Sequence, residues 1–181
     1  MSSNPVSSVK SPRDAAALSV AALERFAREV AKFPADQKSS AVMACLAIAQ
    51  QEQGWVSAES EAAIAAYLGM ATMAVHEVTT FYNMYNQRPV GQFKLNVCTN
   101  LPCQLRQGQA ALEYLCTKLG IESGGTTADG LFTVQPSECL GACADAPVLL
   151  VNDRQMISLM SHDRLDELVD TLTSHARAQA Q

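Results

Sequence analysis

The apolar residues in the first half of the chain recur with the period of an α-helix. Four segments show this pattern, and the predicted helices span about 15–33, 38–53, 58–68 and 72–86. The positions predicted to face a core are Leu18, Ala22, Phe26, Val30, Val42, Cys45, Leu46 and Ala49. Ser57 and Thr72 are the predicted N-caps of the last two helices. These signals predict a helical bundle domain over 13–88, preceded by a disordered tail over 1–12.

After Gly91 the pattern changes to alternating strands and helices. Phe93, Leu95 and Val97 alternate with polar residues, which predicts a strand that ends just before Cys98. The following elements are predicted as a helix over 104–119, a strand over 131–134, a hairpin of 148–151 and 155–159, and a helix over 162–174. Leu105, Leu112, Leu115 and Leu119 should form the apolar side of the first of these helices. The predicted fold class is α/β (α+β), with a second domain over 89–181 whose element order is thioredoxin-like.

Composition and charge exclude several classes of function. The chain of 181 residues is 48% hydrophobic and 17% charged, with a net charge of -5, which attracts neither nucleic acid nor an anionic membrane. The N-terminus has no apolar run typical of a signal peptide, and the longest uncharged stretch, 62–75, is shorter than the roughly 20 residues that span a bilayer. We therefore expect a bacterial cytoplasmic protein without direct membrane insertion, in a compartment where disulfides are disfavoured.

Four of the six cysteines form two close pairs, Cys98 with Cys103 and Cys139 with Cys143. Each pair follows a predicted strand of one strand-helix-strand unit. Such units make right-handed crossovers with parallel strands, so both pairs should emerge at the same edge of the sheet. Four thiolates meeting there can bind one metal centre.

The pattern of the residues leaves the identity of the metal open. Cysteine pairs spaced by two to four residues are common in structural zinc sites, so both pairs are permissible zinc ligands. The small residues of the loop 140–142 and the apolar surroundings favour an iron-sulfur cluster, because backbone N–H groups can then approach the sulfides. A dithiol redox enzyme is disfavoured, since the chain has no C-x-x-C motif.

Several longer motifs resemble one family across nearly the whole chain. They are QQEQGWV at 50–56, VTTFYNMY at 78–85, VCTNLPC at 97–103, TADGLFTV at 127–134 and ECLGACADAPVLLVND at 138–153. Together they resemble the thioredoxin-like 2Fe-2S subunit of the NADH-oxidising arm of respiratory complex I, NADH:ubiquinone oxidoreductase. The segment 105–108 departs from that family in the position of its glycine, and the resemblance also raises the expectation of a cis peptide bond before Pro147.

The resemblance implies one 2Fe-2S cluster bound by Cys98, Cys103, Cys139 and Cys143. It further implies an electron-transfer subunit of NADH dehydrogenase with no complete active site of its own, which exchanges single electrons with FMN. The FMN and the NADH are expected on a partner flavoprotein subunit, and the other partners would be peripheral-arm subunits of complex I. The chain would then lie on the cytoplasmic side of the inner membrane through that complex.

The rest of the sequence agrees with a partner-dependent role. No G-x-G-x-x-G motif follows a strand, no P-loop is present, and the three histidines are scattered. Two alternatives stay open: the same subunit in a soluble NAD-linked formate dehydrogenase or hydrogenase, and a structural four-cysteine zinc module without redox activity. Structural packing is the expected role of six further residues, Cys45, Trp55, Phe81, Tyr82, Tyr85 and Cys116. Arg106 is expected either to offset cluster charge or to face solvent, and Glu138 and Asp145 are expected to lower the reduction potential.

Overall fold

The computed structural model describes residues 18–179. The chain divides into two compact units, Met1–Pro89 and Val90–Gln181. Across the described residues, no helix is both long and apolar enough to cross a membrane. The predicted tail over 1–12 lies outside the described residues.

The first unit is helical, as its apolar period predicts. Its elements are α1 (Val20–Val30), a 3-10 helix (Ala35–Ala41), α2 (Val42–Gln53), α3 (Ala58–Leu68) and α4 (Thr72–Phe81). Six of the predicted core positions are buried, namely Ala22, Phe26, Val42, Cys45, Leu46 and Ala49, and Leu18 and Val30 pack against them. The predicted start of α2 is too early, because the residues before Val42 form the 3-10 helix instead.

The N-cap of α3 is confirmed and that of α4 is wrong. The Ser57 hydroxyl accepts the backbone N–H of Ser60 at 3.2 Å, which satisfies one of the free amides at the start of α3. In α4 the N-cap position is occupied by Ala71, whose side chain cannot accept a hydrogen bond. Thr72 is the first residue inside the helix.

The end of α4 also differs from the prediction, because tertiary hydrogen bonds replace the helical ones. The helix stops at Phe81, since the next residue is extended and the segment after it is held by α2. The hydroxyl of Tyr85 donates to the carbonyl of Met43 at 2.9 Å, and the N–H of Asn86 donates to the Gln50 side chain at 2.6 Å. Tyr85 is therefore buried in the core.

For Phe81, Tyr82 and Tyr85, packing in the core was favoured over packing against the second domain or a partner, and this expectation is wrong for Phe81 and Tyr82. Phe81 is 79% exposed and Tyr82 is 37% exposed, and the two rings contact each other edge to face. Tyr85 lies beyond the end of α4, so it no longer shares a helical face with Phe81. Trp55 is partly buried.

The second unit is a four-stranded mixed sheet with helices, which confirms the α+β fold class. Its elements are β1 (Phe93–Cys98), α5 (Leu101–Leu105), α6 (Gly108–Leu119), β2 (Phe132–Ser137), a 3-10 helix (Cys143–Asp145), β3 (Leu149–Val151), β4 (Gln155–Ile157) and α7 (His162–Gln179). The strand order is β2-β1-β3-β4. β1 and β2 are parallel, as the crossover rule requires, and the other pairs are antiparallel.

Alternate residues of β1 supply the core of this unit. Phe93, Leu95 and Val97 pack in one apolar cluster with residues of α6 and α7. The residues between them are polar but also buried, and the Lys94 ammonium lies 2.6 Å from a carboxylate oxygen of Asp153 in the β3–β4 turn. The strand is therefore buried over its full length, although its sequence alternates.

The single helix predicted over 104–119 is wrong, because the structure has two. α5 ends at Leu105, and Gln107 adopts a left-handed conformation with φ of 68° before α6 begins at Gly108. Leu105, expected on the apolar side, is 77% exposed as a result. The last helix begins at the predicted residue but continues to Gln179.

Candidate metal centre

The carboxyl ends of the two parallel strands bring the first cysteine of each pair to one edge of the sheet. Cys98 is the last residue of β1 and lies opposite Ser137, the last residue of β2. The backbone N–H of Thr99 donates to the Ser137 carbonyl at 3.1 Å, so the ladder extends into both cysteine segments. Cys139 follows two residues later. The sequence-based expectation of a shared edge agrees with this placement.

A short helix positions Cys103, the second cysteine of the first pair. α5 begins after Asn100, with a proline in its first turn, where the missing N–H is not needed. The side-chain amide of Asn100 donates to a carboxylate oxygen of Glu138 at 2.9 Å. This hydrogen bond ties the first cysteine segment to the second across 38 residues of sequence.

The second cysteine pair lies on a tight loop that is anchored at its far end. The Sγ atoms of Cys139 and Cys143 are 3.7 Å apart, and Gly141 between them has a φ of 77°, which lets the chain reverse. A cis peptide bond joins Ala146 to Pro147, as the resemblance suggested. The N–H of Leu159 donates to the Asp145 carbonyl at 2.9 Å, so the segment after β4 supports the loop.

The sulfur spacing within the pairs suits a tetrahedral metal. Two thiolates at about 2.3 Å from one tetrahedral metal ion lie about 3.8 Å from each other. The Cys139–Cys143 distance of 3.7 Å is close to that value. The Cys98 thiol is near enough to that of Cys103 to raise the pKa of Cys103, after the larger effect of burial. Within residues 18–179, no three His, Cys, Asp or Glu side chains are grouped for one ion, and the thiols stand as two pairs.

The two pairs differ in their exposure to solvent. Cys98 is 2% exposed and Cys103 is 1% exposed, in an apolar cluster with Ala146 and Val148. Cys139 and Cys143 are exposed. Cys98 and Cys103 therefore form an inner pair that is shielded from solvent, and Cys139 and Cys143 form an outer pair at the protein surface.

The pKa values of two of these thiols are raised. For Cys103 the main cause is burial, followed by the hydrogen bond with Cys98, and for Cys143 it is the hydrogen bond with Cys139. A raised pKa keeps a thiol protonated at neutral pH. A metal that binds these residues must therefore displace protons, and its positive charge favours the thiolates.

Gly108 is a site residue that the sequence analysis did not identify. A Cβ at this position would lie 2.7 Å from the carbonyl oxygen of Cys98 and 2.9 Å from that of Cys103. The start of α6 therefore packs directly on the backbone of both inner cysteines, and only glycine leaves enough room. The available signal was a glycine interrupting an otherwise helical pattern, five residues after Cys103.

The structure also settles the position of the charged residues near the cysteines. Arg106 is exposed, which agrees with the solvent-facing alternative. Glu138 and Asp145 are exposed as well, and each belongs to the loop that carries the outer pair. Cys45 is fully buried in the helical unit, and Cys116 is partly buried against the core of the second unit, so neither contributes to the site.

Comparison with known proteins identifies the family to which the chain is similar. A family model described as thioredoxin-like [2Fe-2S] ferredoxin matches residues 26–173. The chain is 38% identical over 149 residues to NADH-quinone oxidoreductase subunit 2 of Thermus thermophilus, covering 82% of each chain. It is also 38% identical over 154 residues to an NADH-quinone oxidoreductase subunit of Rhizobium meliloti, covering 85% of this chain and 90% of that one.

A solved structure is similar in fold. The chain superimposes on a chain of an NAD+-reducing [NiFe]-hydrogenase in the air-oxidised state with a TM-score of 0.66 and 21% sequence identity. The match covers 75% of this chain but only 23% of the hydrogenase chain. At this identity the comparison shows the fold alone.

Proposed function

Because the chain belongs to the thioredoxin-like [2Fe-2S] ferredoxin family, we propose that it is an electron-transfer subunit of NADH-quinone oxidoreductase and that its four paired cysteines bind one 2Fe-2S cluster. The ligands would be Cys98, Cys103, Cys139 and Cys143. The observation that carries the proposal is that both thiol pairs follow the carboxyl ends of two neighbouring parallel strands, with 3.7 Å between the sulfurs of Cys139 and Cys143.

The residues of this chain fit such a cluster. Four cysteine thiols are the ligand set that a 2Fe-2S cluster takes, and Cys98, Cys103, Cys139 and Cys143 would supply it here. When bound, the cluster supplies one-electron transfer at a potential set by its surroundings. The apolar residues around Cys98 and Cys103 keep water away from these thiols, whereas the exposed Cys139 and Cys143 bring the site to the protein surface.

The hydride chemistry of NADH oxidation requires a second protein. The sequence has no motif for a dinucleotide or a phosphate, so FMN and NADH would be bound by a partner flavoprotein subunit that passes single electrons to this chain. The other partners would be peripheral-arm subunits, on the cytoplasmic side of the inner membrane. We also propose that the segments 13–88 and 89–181 are separate domains, and that the second carries the whole cluster site.

Metal analysis of the anaerobically purified chain tests the cluster. We expect two irons and two acid-labile sulfides per chain, no zinc, and a paramagnetic signal after reduction with dithionite. Cys103→Ser should lose the iron, whereas the matched control Cys116→Ser should keep it, because Cys116 packs against the core of the second unit and not in the apolar cluster of Cys98 and Cys103. A colourless protein with one zinc and no signal on reduction would support the structural zinc module instead.

Co-purification tests the assembly. Tagged chain isolated from its native cells should bring down an FMN-containing subunit together with quinone oxidoreductase subunits. Recovery with a formate dehydrogenase or a hydrogenase subunit would assign the same electron-transfer role to a soluble complex.

A further inference from the structure

The two cysteine pairs differ in a way that the bound cluster does not require. Both members of the inner pair are almost fully buried, at 2% and 1% exposure, whereas both members of the outer pair are exposed. A chain that has not yet received a cluster therefore presents two neighbouring thiols to solvent and protects the other two. Any reagent that reaches the site from solvent meets Cys139 and Cys143 first.

The outer pair is also close to the geometry of a disulfide. Its Sγ atoms are 3.7 Å apart, and a disulfide bond measures about 2.05 Å, so the sulfurs must approach by about 1.7 Å. The loop between them has room for this movement, because a Cβ built on Gly141 would meet no heavy atom within 4 Å. Leu140 and Ala142 pack against the apolar cluster around Cys98 and Cys103, so the approach of the two sulfurs falls to rotation of the exposed Cys139 and Cys143 side chains.

The far ends of the loop are fixed, which confines the movement to the loop itself. Asp145 is held through its carbonyl by Leu159, and Pro147 through its carbonyl by Met160 at 3.2 Å. On the other side, the hydrogen bond between Asn100 and Glu138 holds the residue before Cys139. Closing the two sulfurs therefore does not need the sheet edge or the buried pair to move.

From these observations we propose that Cys139 and Cys143 are a modification site of the cluster-free chain, where a small-molecule disulfide oxidises them to an intramolecular disulfide that blocks cluster loading. The inference rests on the proposed function, since it concerns the regulation of the same site. The inner pair stays reduced because an oxidant cannot reach it. Oxidation of Cys139 and Cys143 would therefore control cluster loading, while Cys98 and Cys103 stay protected from the oxidant.

The reaction balances with oxidised glutathione as the oxidant. One thiolate of the outer pair attacks a glutathione sulfur, forms a mixed disulfide and releases one glutathione thiolate. The second thiol of the pair then loses its proton to solvent and displaces the other glutathione, forming the bond between Cys139 and Cys143. Two electrons leave the cysteine pair, and one glutathione disulfide becomes two thiols.

The disulfide removes two of the four ligands at once. A cluster needs thiolates, and neither sulfur of a disulfide can supply one. The buried pair alone cannot complete the coordination of two irons. Reduction by a dithiol restores both ligands without any change of fold.

Peptide mapping of the oxidised chain tests the inference. The full chain is freed of metal with a chelator under reducing conditions, exposed to oxidised glutathione, blocked with iodoacetamide and digested. We expect a cross-link between Cys139 and Cys143, and alkylation of Cys98 and Cys103 only after unfolding. Cys139→Ser should instead accumulate one glutathione on Cys143, because the thiol that would displace it is gone, whereas Cys116→Ser should form the cross-link like the parent.

Iron uptake gives the second readout. The oxidised chain should take up no iron and sulfide until dithiothreitol is added, while a chain kept reduced should load at once. A cross-link in the inner pair, mixed cross-links between the pairs, or stable glutathione on both outer cysteines of the parent would overturn the inference. If the reduced chain fails to load, the proposed function fails, and the peptide map still decides whether the disulfide forms.

Discussion

A single methyl group at position 108 should loosen the metal centre through backbone contacts alone. In Gly108→Ala the new Cβ would lie 2.7 Å from the Cys98 oxygen, about 0.7 Å closer than the 3.4 Å at which ordinary contacts begin. The atoms it meets are backbone atoms, which cannot rotate away as a side chain can. Cys98 is fixed between two neighbouring strands. Either the start of α6 or the segment that carries the inner cysteines must move.

The expected cost follows from overpacking. Inserting a methyl group into a packed site costs about 1–3 kcal/mol. Alanine is a better helix former than glycine by up to about 1 kcal/mol, but position 108 is the first residue of α6, where this gain is small. A net loss of about 1–2 kcal/mol should lower the melting temperature of a unit of this size by about 5–10 °C.

Two measurements and one control separate the local effect from general destabilisation. Circular dichroism of the reduced, metal-free chain measures the melting temperature, and release of iron to a chelator measures how firmly the loaded site is held. The control is Gly120→Ala, because Gly120 has a φ of 65° and its Cβ would meet no atom within 4 Å. This control should lose about 1 kcal/mol through its backbone conformation, with no faster release of iron. If Gly108→Ala melts and releases iron like the parent, the close packing of α6 on the cysteine backbone does not matter and the reasoning is refuted.

Three further substitutions test other parts of the structure. Ser57→Ala removes the N-cap of α3 and should lower the free energy of unfolding by about 1 kcal/mol in urea denaturation; an unchanged midpoint would contradict the cap. Asp153→Asn takes away the carboxylate that lies 2.6 Å from the Lys94 ammonium. Because the Lys94 side chain is 3% exposed but that of Asp153 is 35% exposed, the expected loss by the same method lies between those of exposed and buried ion pairs, at about 2 kcal/mol, and an unchanged free energy of unfolding would argue against the ion pair. A hydrogen bond from Lys118 is the main cause that lowers the pKa of Asp166, so this carboxylate stabilises the fold at neutral pH and stops doing so as the pH falls through its lowered pKa. Asp166→Asn should therefore melt lower than the parent at neutral pH and converge with it in acid, and an equal difference at both pH values would exclude the linkage.

The fold was predictable where one local signal determined it. The apolar period located α1, α2 and α3, and the switch to alternation at Phe93 located the sheet, because both patterns reflect which side of an element is buried. Ser57 marked the start of α3 through the hydrogen bond that its own side chain accepts. These signals lie within a few residues of the element that they define, so one sequence is enough to find them.

The errors arose where distant residues decide the local conformation. The apolar and aromatic residues after Phe81 suggest a longer helix, but a carbonyl from α2 accepts the Tyr85 hydroxyl and the chain leaves the helix to reach it. The break between α5 and α6 has the same origin, since Gly108 must lie against two carbonyls of the preceding segment. Neither partner can be identified from the local pattern.

The same distinction applies to the candidate site. Topology alone predicted that both cysteine pairs meet at one edge, because parallel strands of one sheet end on the same side. It could not predict which pair is buried. Cys98 is covered because it continues a central strand, and Cys103 because α6 begins beside it, whereas Cys139 and Cys143 follow the end of β2 on a loop that leaves both of their side chains exposed.

The contacts between the cysteine segments predict that the fold does not depend on a metal. The segments that carry the cysteines are joined mainly by backbone hydrogen bonds, and none of these bonds involves a sulfur atom. These backbone hydrogen bonds join Thr99 to Ser137, Cys98 to Val148, Leu159 to Asp145, and Met160 to Pro147. In small zinc domains the metal supplies the folding free energy, because no other contact holds the ligands together. Here the sheet ladder and the apolar core supply the folding free energy. We therefore expect the fold to stay intact when the metal is removed, which circular dichroism before and after chelation would measure.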